Sequence, residues 1–455
     1  MLKLYDKSKI DMGNLMFSNK ALTRLMIPLI LEQLLNSFMG MADTMMVSNV
    51  GSAAISAVSL VDSINVLVIQ VFAAMAAGAT IICSQYIGRM DNEQSNNAAR
   101  QVLIAVLTIS IALSIICIAV RRPLLRLVFG QVEEAVMQDS LTYFLITAIS
   151  FPFIALFNAG SAFYRAGGES RFPMRVSVIS NVLNIVGNAI LIFGFNMGVA
   201  GAALATLISR VFCVVVIFYY LRKPKQIIVV KNYLSFRPDF PLILKILAVG
   251  IPTGIENGMF QFGKLVIQSS VSTLGTSAIA ANAMAGILEN LNGIGAMGIG
   301  IGLMTVVGQC IGAGRIEEAK YNIIKMTKVA YAVVLASCIF VYVITRPVMY
   351  FAGMDAECSR LCMEVVSYYT VIKPFIWVLA FVPAYGMRAA GDVKYSMIST
   401  SLTMWLCRVV LSTYLIRFTG VGILGMWIGM SADWFCRAVV FVTRYFSGKW
   451  IKDVI

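Results

Sequence analysis

Residues 28–51 read PLILEQLLNSFMGMADTMMVSNVG, and residues 252–275 read PTGIENGMFQFGKLVIQSSVSTLG. Both stretches begin with proline, carry glutamate at the fifth position and end with glycine, at a constant offset of 224 residues. The same offset aligns further infrequent residues: Gln85 with Gln309, Glu93 with Glu317, and Arg122-Pro123 with Arg346-Pro347. Composition alone does not bring infrequent residues into one register, so the sequence indicates a tandem duplication.

The repeat continues after a slip of one residue, since RAGGE (165–169) matches RAAGD (388–392). The longest hydrophilic connection, residues 223–240, falls at the midpoint of the chain. We therefore predict an N-terminal lobe at residues 1–222, a linker at 223–240 and a C-terminal lobe at 241–455.

The composition is that of a membrane protein. Hydrophobic residues make up 59% of the 455 residues, charged residues make up 13%, and the mean hydropathy is +0.84. The apolar runs are about 20 residues long, enough for a helix to cross a bilayer, and they lack the alternation of β-barrel strands. We predict an all-α membrane protein with twelve transmembrane helices in two parallel, pseudo-symmetric six-helix bundles. The predicted spans begin near Ala21, Ala53, Ala98, Val136, Phe172, Gly198, Pro241, Ala278, Thr327, Cys362, Ser396 and Val421.

The even number of spans in each half has a mechanical consequence. Both halves then enter the membrane from the same face, so the two repeats are parallel. Two such bundles enclose a cleft, and rocking one against the other opens that cleft to alternate sides of the membrane. This arrangement favours a transporter over a channel.

The net charge of +14 follows membrane topology and does not indicate a nucleic-acid partner. With a cytoplasmic N-terminus, basic residues concentrate in the termini and in the even-numbered connections: residues 3–24, 89–100, 165–175, 222–245, 315–328, 388–394 and 444–452. The opposite loops carry only Arg121, Arg122, Arg126, Arg346, Arg360 and Arg417. This positive-inside bias predicts a multi-pass protein of the cytoplasmic (inner) membrane with both termini in the cytoplasm.

The sequence has no histidine, which excludes imidazole acid–base chemistry and Ser-His-Asp triads. Its nine cysteines form no C-x-x-C pair, and we predict neither a disulfide framework nor a structural metal site. No paired-aspartate motif lies at membrane depth. An intramembrane enzyme is therefore disfavoured.

Ionisable residues within apolar runs are costly and are candidates for function. The first span carries Glu32 and Asp43, eleven residues apart, which places them within about 20° of one helical face and about 16 Å apart along the axis. We expect Asp43 to bind a cation or a proton. Glu32 is either part of a substrate cavity or, like its repeat partner Glu256, a feature of the fold next to a proline.

The fifth span places Asn181, Asn184 and Asn188 on one helical face. Their amides either ligate a cation through their oxygens or link helices by hydrogen bonds. In the sixth span, Thr206 offers a hydroxyl to such an oxygen site, although this span with its small-residue face, taken alone, indicates helix packing.

The second half carries Glu256 and Lys264 in span seven, Glu289 in span eight and Lys373 in span ten. Mutual pairing of acids and bases is the favoured interpretation. Unpaired lysines would favour an anionic or zwitterionic substrate, and unpaired acids a cationic one. We retain Glu256 and Glu289, with Glu32 and Asn181, as candidates for the substrate cavity.

The first span resembles the MATE (multidrug and toxic compound extrusion) family. The family has an early proline in this span, here Pro28, and a Gly-x-x-Asp-Thr element at its end, here residues 40–44. The connections SQYIGRMDNEQ (84–94) and GQCIGAGRIEEA (308–319) are also similar, as are RAGG and RAAG after spans four and ten. The similarity covers nearly the whole chain.

The resemblance implies a cation-coupled (Na⁺ or H⁺) antiporter that exports small amphipathic, cationic compounds. It implies a coupling site at Asp43, Asn184, Asn188, Ala202 and Thr206, with Na⁺ at Asp43, Asn184 and Thr206. Asn188 stands where some members carry a second acid, which favours a site with one carboxylate. No cofactor besides the coupling ion is implied, and the partners are a small-molecule substrate and the lipid bilayer around a monomer.

Two positions depart from one branch of the family. That branch has a glutamate two turns after the seventh-span proline, where this chain has Phe260, and a tenth-span aspartate near the place of Trp377. The sequence therefore does not favour a cation site of that kind in the C-terminal half. A flippase for lipid-linked saccharides, of related architecture, is the alternative function.

Overall fold

The computed structural model describes residues 4–130, 133–224, 226–230 and 237–452. Every regular element within these ranges is helical and none is a strand, which confirms the all-α prediction. Residues 225 and 231–236 of the predicted linker lie outside the described part, as do Lys3 and the side chain of Thr44.

Fifteen α-helices occur in the described part of the chain. They are α1 (Asn19–Ser48), α2 (Ser52–Gly88), α3 (Asn92–Ala119), α4 (Arg121–Phe129), α5 (Glu134–Ile149), α6 (Phe151–Ala166), α7 (Arg171–Asn188), α8 (Gly198–Leu221), α9 (Phe240–Val271), α10 (Thr276–Gly312), α11 (Ile316–Phe351), α12 (Ala356–Ala389), α13 (Val393–Thr403), α14 (Ser412–Phe418) and α15 (Leu424–Ser447). Two π-helical segments, Ala189–Gly194 after α7 and Met404–Leu411 between α13 and α14, interrupt the regular geometry.

Nine helices in the described part are long and apolar enough to cross a membrane, or ten if α5 and α6, which are bent by 41°, form one span. The other two predicted spans are the interrupted pair α13–α14 and helix α15, whose apolar sequence contains Asp433 and Arg437. Helix α11 begins well before the predicted start at Thr327. Its first turns alternate buried Ala319 and Ile323 with charged residues, so they have low hydropathy although they are helical.

The chain forms two compact units. The N-terminal unit comprises Thr23–Gly254, and the C-terminal unit comprises Ile255–Val454 together with Met1–Leu22. In the N-terminal unit, α2 packs against α3 and α6, and α6 packs against α8. In the C-terminal unit the repeat counterparts pack in the same pairs, since α10 contacts α11 and α12, and α12 contacts α15.

The N-terminal segment of the chain is attached to the start of α11 within the C-terminal unit. The backbone N–H of Asp6 donates to Glu317 at 2.7 Å, and that of Met16 donates to Glu318 at 2.6 Å. These acids lie in the first turn of α11, where carboxylates also interact favourably with the helix dipole.

The turn from the first to the second span of each repeat depends on glycine. Gly51 precedes α2 with φ of 145°, and Gly275 precedes α10 with φ of 96°. Side-chain-bearing residues rarely adopt these angles, which explains why glycine occupies the position in both halves.

In the C-terminal unit, Gly429 of α15 lies very close to the backbone of residues 407–412. A Cβ atom added at Gly429 of α15 would meet the side chain of Ser412 and lie 3.0 Å from both the Cys407 carbonyl oxygen and the Ser412 nitrogen. Backbone atoms cannot move away cheaply, so we expect Gly429→Ala to lower the free energy of unfolding by about 1–3 kcal/mol. Thermal unfolding of the purified protein in detergent measures the effect.

Gly258 provides the matched control, because it is also helical but has no atom within 4 Å of an added Cβ. Gly258→Ala is expected to leave the stability unchanged or to raise it by up to about 1 kcal/mol through helix propensity. Equal melting temperatures for the two variants would contradict the close approach.

Candidate functional site

The residues around Asp43 come from three helices of the N-terminal unit. Asp43 lies near the end of α1, Asn184 and Asn188 lie one turn apart at the end of α7, and Thr206 lies on α8. Asn188 is the last residue of α7 before the π-helical segment, a geometry that often marks functional positions. The structure therefore brings together the four side chains that the sequence and the family resemblance had singled out.

Hydrogen bonds link these side chains one after another. Asn188 Nδ2 donates to Asp43 Oδ1 at 2.7 Å and lies 3.2 Å from Asn184 Oδ1. The Thr206 hydroxyl donates to the Ala202 carbonyl at 3.1 Å, the usual bond of a helical threonine to the residue four positions earlier. Asn184 contacts Thr206 Oγ1 at 3.2 Å and so joins the two ends.

The amide of Asn184 has two orientations with different consequences. In the first orientation, both the nitrogen and the oxygen of the amide have hydrogen-bond partners. The nitrogen donates to Asp43 Oδ1 at 2.8 Å, and the oxygen accepts from the hydroxyl and the backbone N–H of Thr206. In the other, Asn184 directs its oxygen toward the carboxylate. The same side chain thus offers the carboxylate either a donor or a second oxygen.

One polar atom of this cluster has no partner among the described residues. Asn188 is only 1% exposed, and its Oδ1 accepts no hydrogen bond. Buried polar atoms are normally satisfied, so an acceptor without a partner beside a carboxylate is a candidate ligand for a donor or a cation. Carboxylate, amide, hydroxyl and carbonyl oxygens are the ligands that hard cations prefer.

The structure adds polar residues that the sequence analysis missed. Asp62 on α2 accepts hydrogen bonds from Asn65 at 3.1 Å and from the Tyr143 hydroxyl at 3.2 Å. Arg210 on α8 donates to the Ser150 hydroxyl at 2.5 Å. The charges of Asp62 and Arg210 both act electrostatically on Asp43. The criterion applied to Asp43, a charge within an apolar run, would also have identified Asp62 and Arg210.

Glu32 and Asn181 do not contact this cluster through any described hydrogen bond. Glu32 is 5% exposed, and its Oε2 has no partner in the described part of the chain. The Asn181 amide nitrogen is likewise buried without an acceptor. Their role as cavity residues remains a prediction.

In the C-terminal unit, the two predicted acids are ion-paired. Glu256 accepts from Arg388 at 2.8 Å, and Glu289 accepts from Lys373 at 2.5 Å. The interpretation that acids and bases of this half pair with one another therefore agrees with the position of Lys373, which is fully buried and paired with Glu289. For Lys264, the described residues place no carboxylate within ion-pair distance.

Comparisons with known proteins agree with this architecture. A family model described as MatE matches residues 28–190 and again residues 252–414, at the offset of the internal duplication. The "Probable multidrug resistance protein NorM" of Thermotoga maritima is 28% identical over 450 residues, which cover 96% of this chain and 94% of the relative. The "FAD transporter" of Shewanella oneidensis is 23% identical and covers 82% of this chain and 81% of its own.

A solved structure shows the same fold. The outward-facing conformation of a multidrug resistance MATE family transporter matches with a TM-score of 0.88 at 24% identity, covering 94% of this chain and 96% of that one. The family model covers most of the chain in two copies, one for each half. This protein therefore belongs to the MATE family of multidrug efflux transporters, which are membrane proteins and not enzymes.

Proposed function

We propose that the protein is an antiporter in which inward flow of Na⁺ or H⁺ drives the export of small amphipathic organic compounds. Transport proceeds by alternating access in the cytoplasmic membrane, with both termini in the cytoplasm and the monomer as the working unit. The single observation that supports this most is the oxygen-rich cluster around Asp43 in the interior of the N-terminal unit.

Asp43 is the group that senses the coupling ion. In the absence of the ion, the amides of Asn184 and Asn188 donate to its carboxylate and compensate its charge. When Na⁺ binds, the amide of Asn184 rotates so that its oxygen faces the ion, and Asn188 Oδ1 gains the partner that it lacks. Thr206 and the Ala202 carbonyl complete the oxygen ligands, whereas a proton would simply neutralise Asp43.

The ion drives transport only if it binds one of the two access states more tightly than the other. We expect the outward-open state to bind the ion more tightly, because rotation of the amides requires space around Asp43. Bound ion then disfavours retention of the substrate, which leaves outward. The inward gradient renews the ion after each cycle.

The names of the relatives guide the choice of substrate. Multidrug resistance proteins and an FAD transporter stand among them, so the class of exported compound is broad. No relative reported above is named as a saccharide flippase, so the flippase alternative is not favoured.

A transport assay with separate gradients tests the proposal. Purified protein is reconstituted in liposomes that contain either tetramethylrhodamine methyl ester, a cation, or fluorescein, an anion. We expect an imposed Na⁺ or proton gradient to accelerate the movement of at least one dye by about tenfold or more over protein-free liposomes. Equal rates with and without both gradients, for both dyes, would reject coupled antiport.

A further inference from the structure

Six charged side chains lie close together in the C-terminal unit, four of them buried, Glu289 half-buried and Lys264 exposed. They are Lys264 on α9, Glu289 on α10, Lys373 on α12, Arg408 in the π-helical segment Met404–Leu411, and Asp433 and Arg437 on α15. Glu289 interacts electrostatically with Lys373, Arg408 and Lys264. The six groups thus form one electrostatic cluster, which we call the basic cluster.

The basic cluster has more cations than carboxylates. Glu289 pairs with Lys373 at 2.5 Å. Asp433 is fully buried and is shared by Arg437 at 2.7 Å and Arg408 at 3.4 Å. With four cations and two carboxylates, the cluster keeps an excess of two positive charges, and Lys264 has no carboxylate within ion-pair distance among the described residues.

Lys264 is held deep in its span. It lies seven residues before the end of α9, yet its ammonium group lies 4.7 Å from the ring centre of Phe260, one turn further from that end. A lysine that avoided the membrane would extend toward the near end of its helix. Lys264 points the other way and is exposed, which is unfavourable against lipid and indicates a hydrated surface.

Phe260 joins Lys264 to the rest of the cluster. The Arg408 guanidinium lies 5.0 Å from the centre of the same ring, so two cations share one aromatic side chain. Trp405 packs against the same hydrophobic core cluster as Phe260, and its indole N–H is buried without an acceptor in the described part of the chain. Unsatisfied donors and uncompensated cations beside aromatic rings suit a ligand that has both an anionic group and an apolar body.

The internal repeat places this charge in an informative position. At the offset of 224 residues, Lys264 corresponds to Gly40, one turn before Asp43. The first span of each half therefore carries an ionisable group at nearly the same position in the repeat, acidic in the N-terminal half and basic in the C-terminal half. The fifth span of each half also contains a π-helical segment beside these groups.

We propose that the C-terminal unit binds the anionic group, a carboxylate, sulfonate or phosphate, of an amphipathic organic substrate at Lys264. Lys264 contacts the anion directly, Arg408 adds its field from a buried position, and Phe260 packs against the apolar body. The proposal rests on the proposed export of organic compounds, but it concerns the substrate's charge and not the coupling ion. It replaces the cationic substrate that the family resemblance implies with an anion or a zwitterion.

Equilibrium binding tests this site without any ion gradient. The probes are fluorescein and tetramethylrhodamine methyl ester, which share a xanthene ring system and differ in charge, and binding to purified protein is followed by fluorescence anisotropy. We expect Lys264→Gln to weaken fluorescein binding by about 10- to 100-fold, the effect of losing a hydrogen bond to a charged group. Binding of the cationic dye should change by less than about twofold.

Two further variants separate recognition of charge from folding. Lys264→Arg keeps the charge and is expected to retain fluorescein binding within about fivefold. Lys245→Gln removes an exposed lysine near the start of the same helix and is expected to leave both dyes unaffected. Melting temperatures establish that each variant is folded.

Three results would overturn the anion site: no fluorescein binding to the wild-type protein, equal binding to Lys264→Gln, or equal losses for both dyes. Failure of ion coupling would be distinguishable, because coupling is measured as gradient-driven transport, whereas the anion site is measured by equilibrium binding without a gradient.

Discussion

Asp43→Asn is expected to abolish export driven by an ion gradient while the protein still inserts and folds. Asparagine preserves the shape of the side chain and removes the only charge in the proposed ligand set of Asp43, Asn184, Asn188, Ala202 and Thr206. A unit charge about 4 Å from a carboxylate gains about 4 kcal/mol at an effective dielectric constant of 20, which corresponds to about a thousandfold in affinity. Transport of reconstituted protein under an imposed gradient measures the loss.

Glu133→Gln is the matched control, since it neutralises an exposed acid just before α5 in the same unit. Its transport rate should equal that of the wild-type protein. Dye movement down its own gradient should survive in Asp43→Asn, because alternating access itself does not require the ion. Full gradient-driven transport by the variant would remove Asp43 from the mechanism.

The largest effect on stability is expected for Asp433→Asn. Asp433 is fully buried and is the ion-pair partner of both Arg408 and Arg437, each of which is 5% exposed at its side chain. Removing one partner of a buried ion pair costs about 3–5 kcal/mol, because the remaining charges stay buried without compensation. We expect a much lower melting temperature and a lower yield of folded protein.

The Arg360–Glu364 pair on α12 provides the comparison. It spans 3.7 Å between side chains that are 67% and 44% exposed, so Glu364→Gln should change the free energy of unfolding by less than about 1 kcal/mol. Asp433→Glu restores the charge and should recover part of the stability. A melting temperature for Asp433→Asn equal to that of Glu364→Gln would show that the two arginines do not depend on this carboxylate.

The residues around Asp43 show which features of the candidate site could be predicted from sequence patterns. The spacing of Asn184 and Asn188 predicted a shared helical face, and the position of Asp43 within an apolar run made it a candidate for function. The family resemblance, not the spacing, added Ala202 and Thr206. No pattern predicted the hydrogen bond from Asn188 to Asp43, since these residues are 145 positions apart and their meeting depends on packing.

Asp62 and Arg210 illustrate a different limit. Each is a single charge in an apolar run, and each was visible in the sequence, but neither lies in a repeated motif. Only the packed helices show that both charges act on Asp43. The same holds for Asp433, whose two arginine partners come from its own helix and from the π-helical segment.

The amino-acid sequence by itself determined the membrane class, the helical architecture, the duplication and the position of Asp43, the proposed coupling carboxylate. These features follow from local hydropathy, residue spacing and a register that a linear chain carries in full. Which charges are compensated was decided only by the tertiary structure: Lys373 pairs with Glu289, whereas Lys264 has no carboxylate within ion-pair distance in the described part of the chain, although both are lysines within apolar spans. Ion pairing depends on distances of a few ångströms between helices remote in sequence, which no linear pattern specifies.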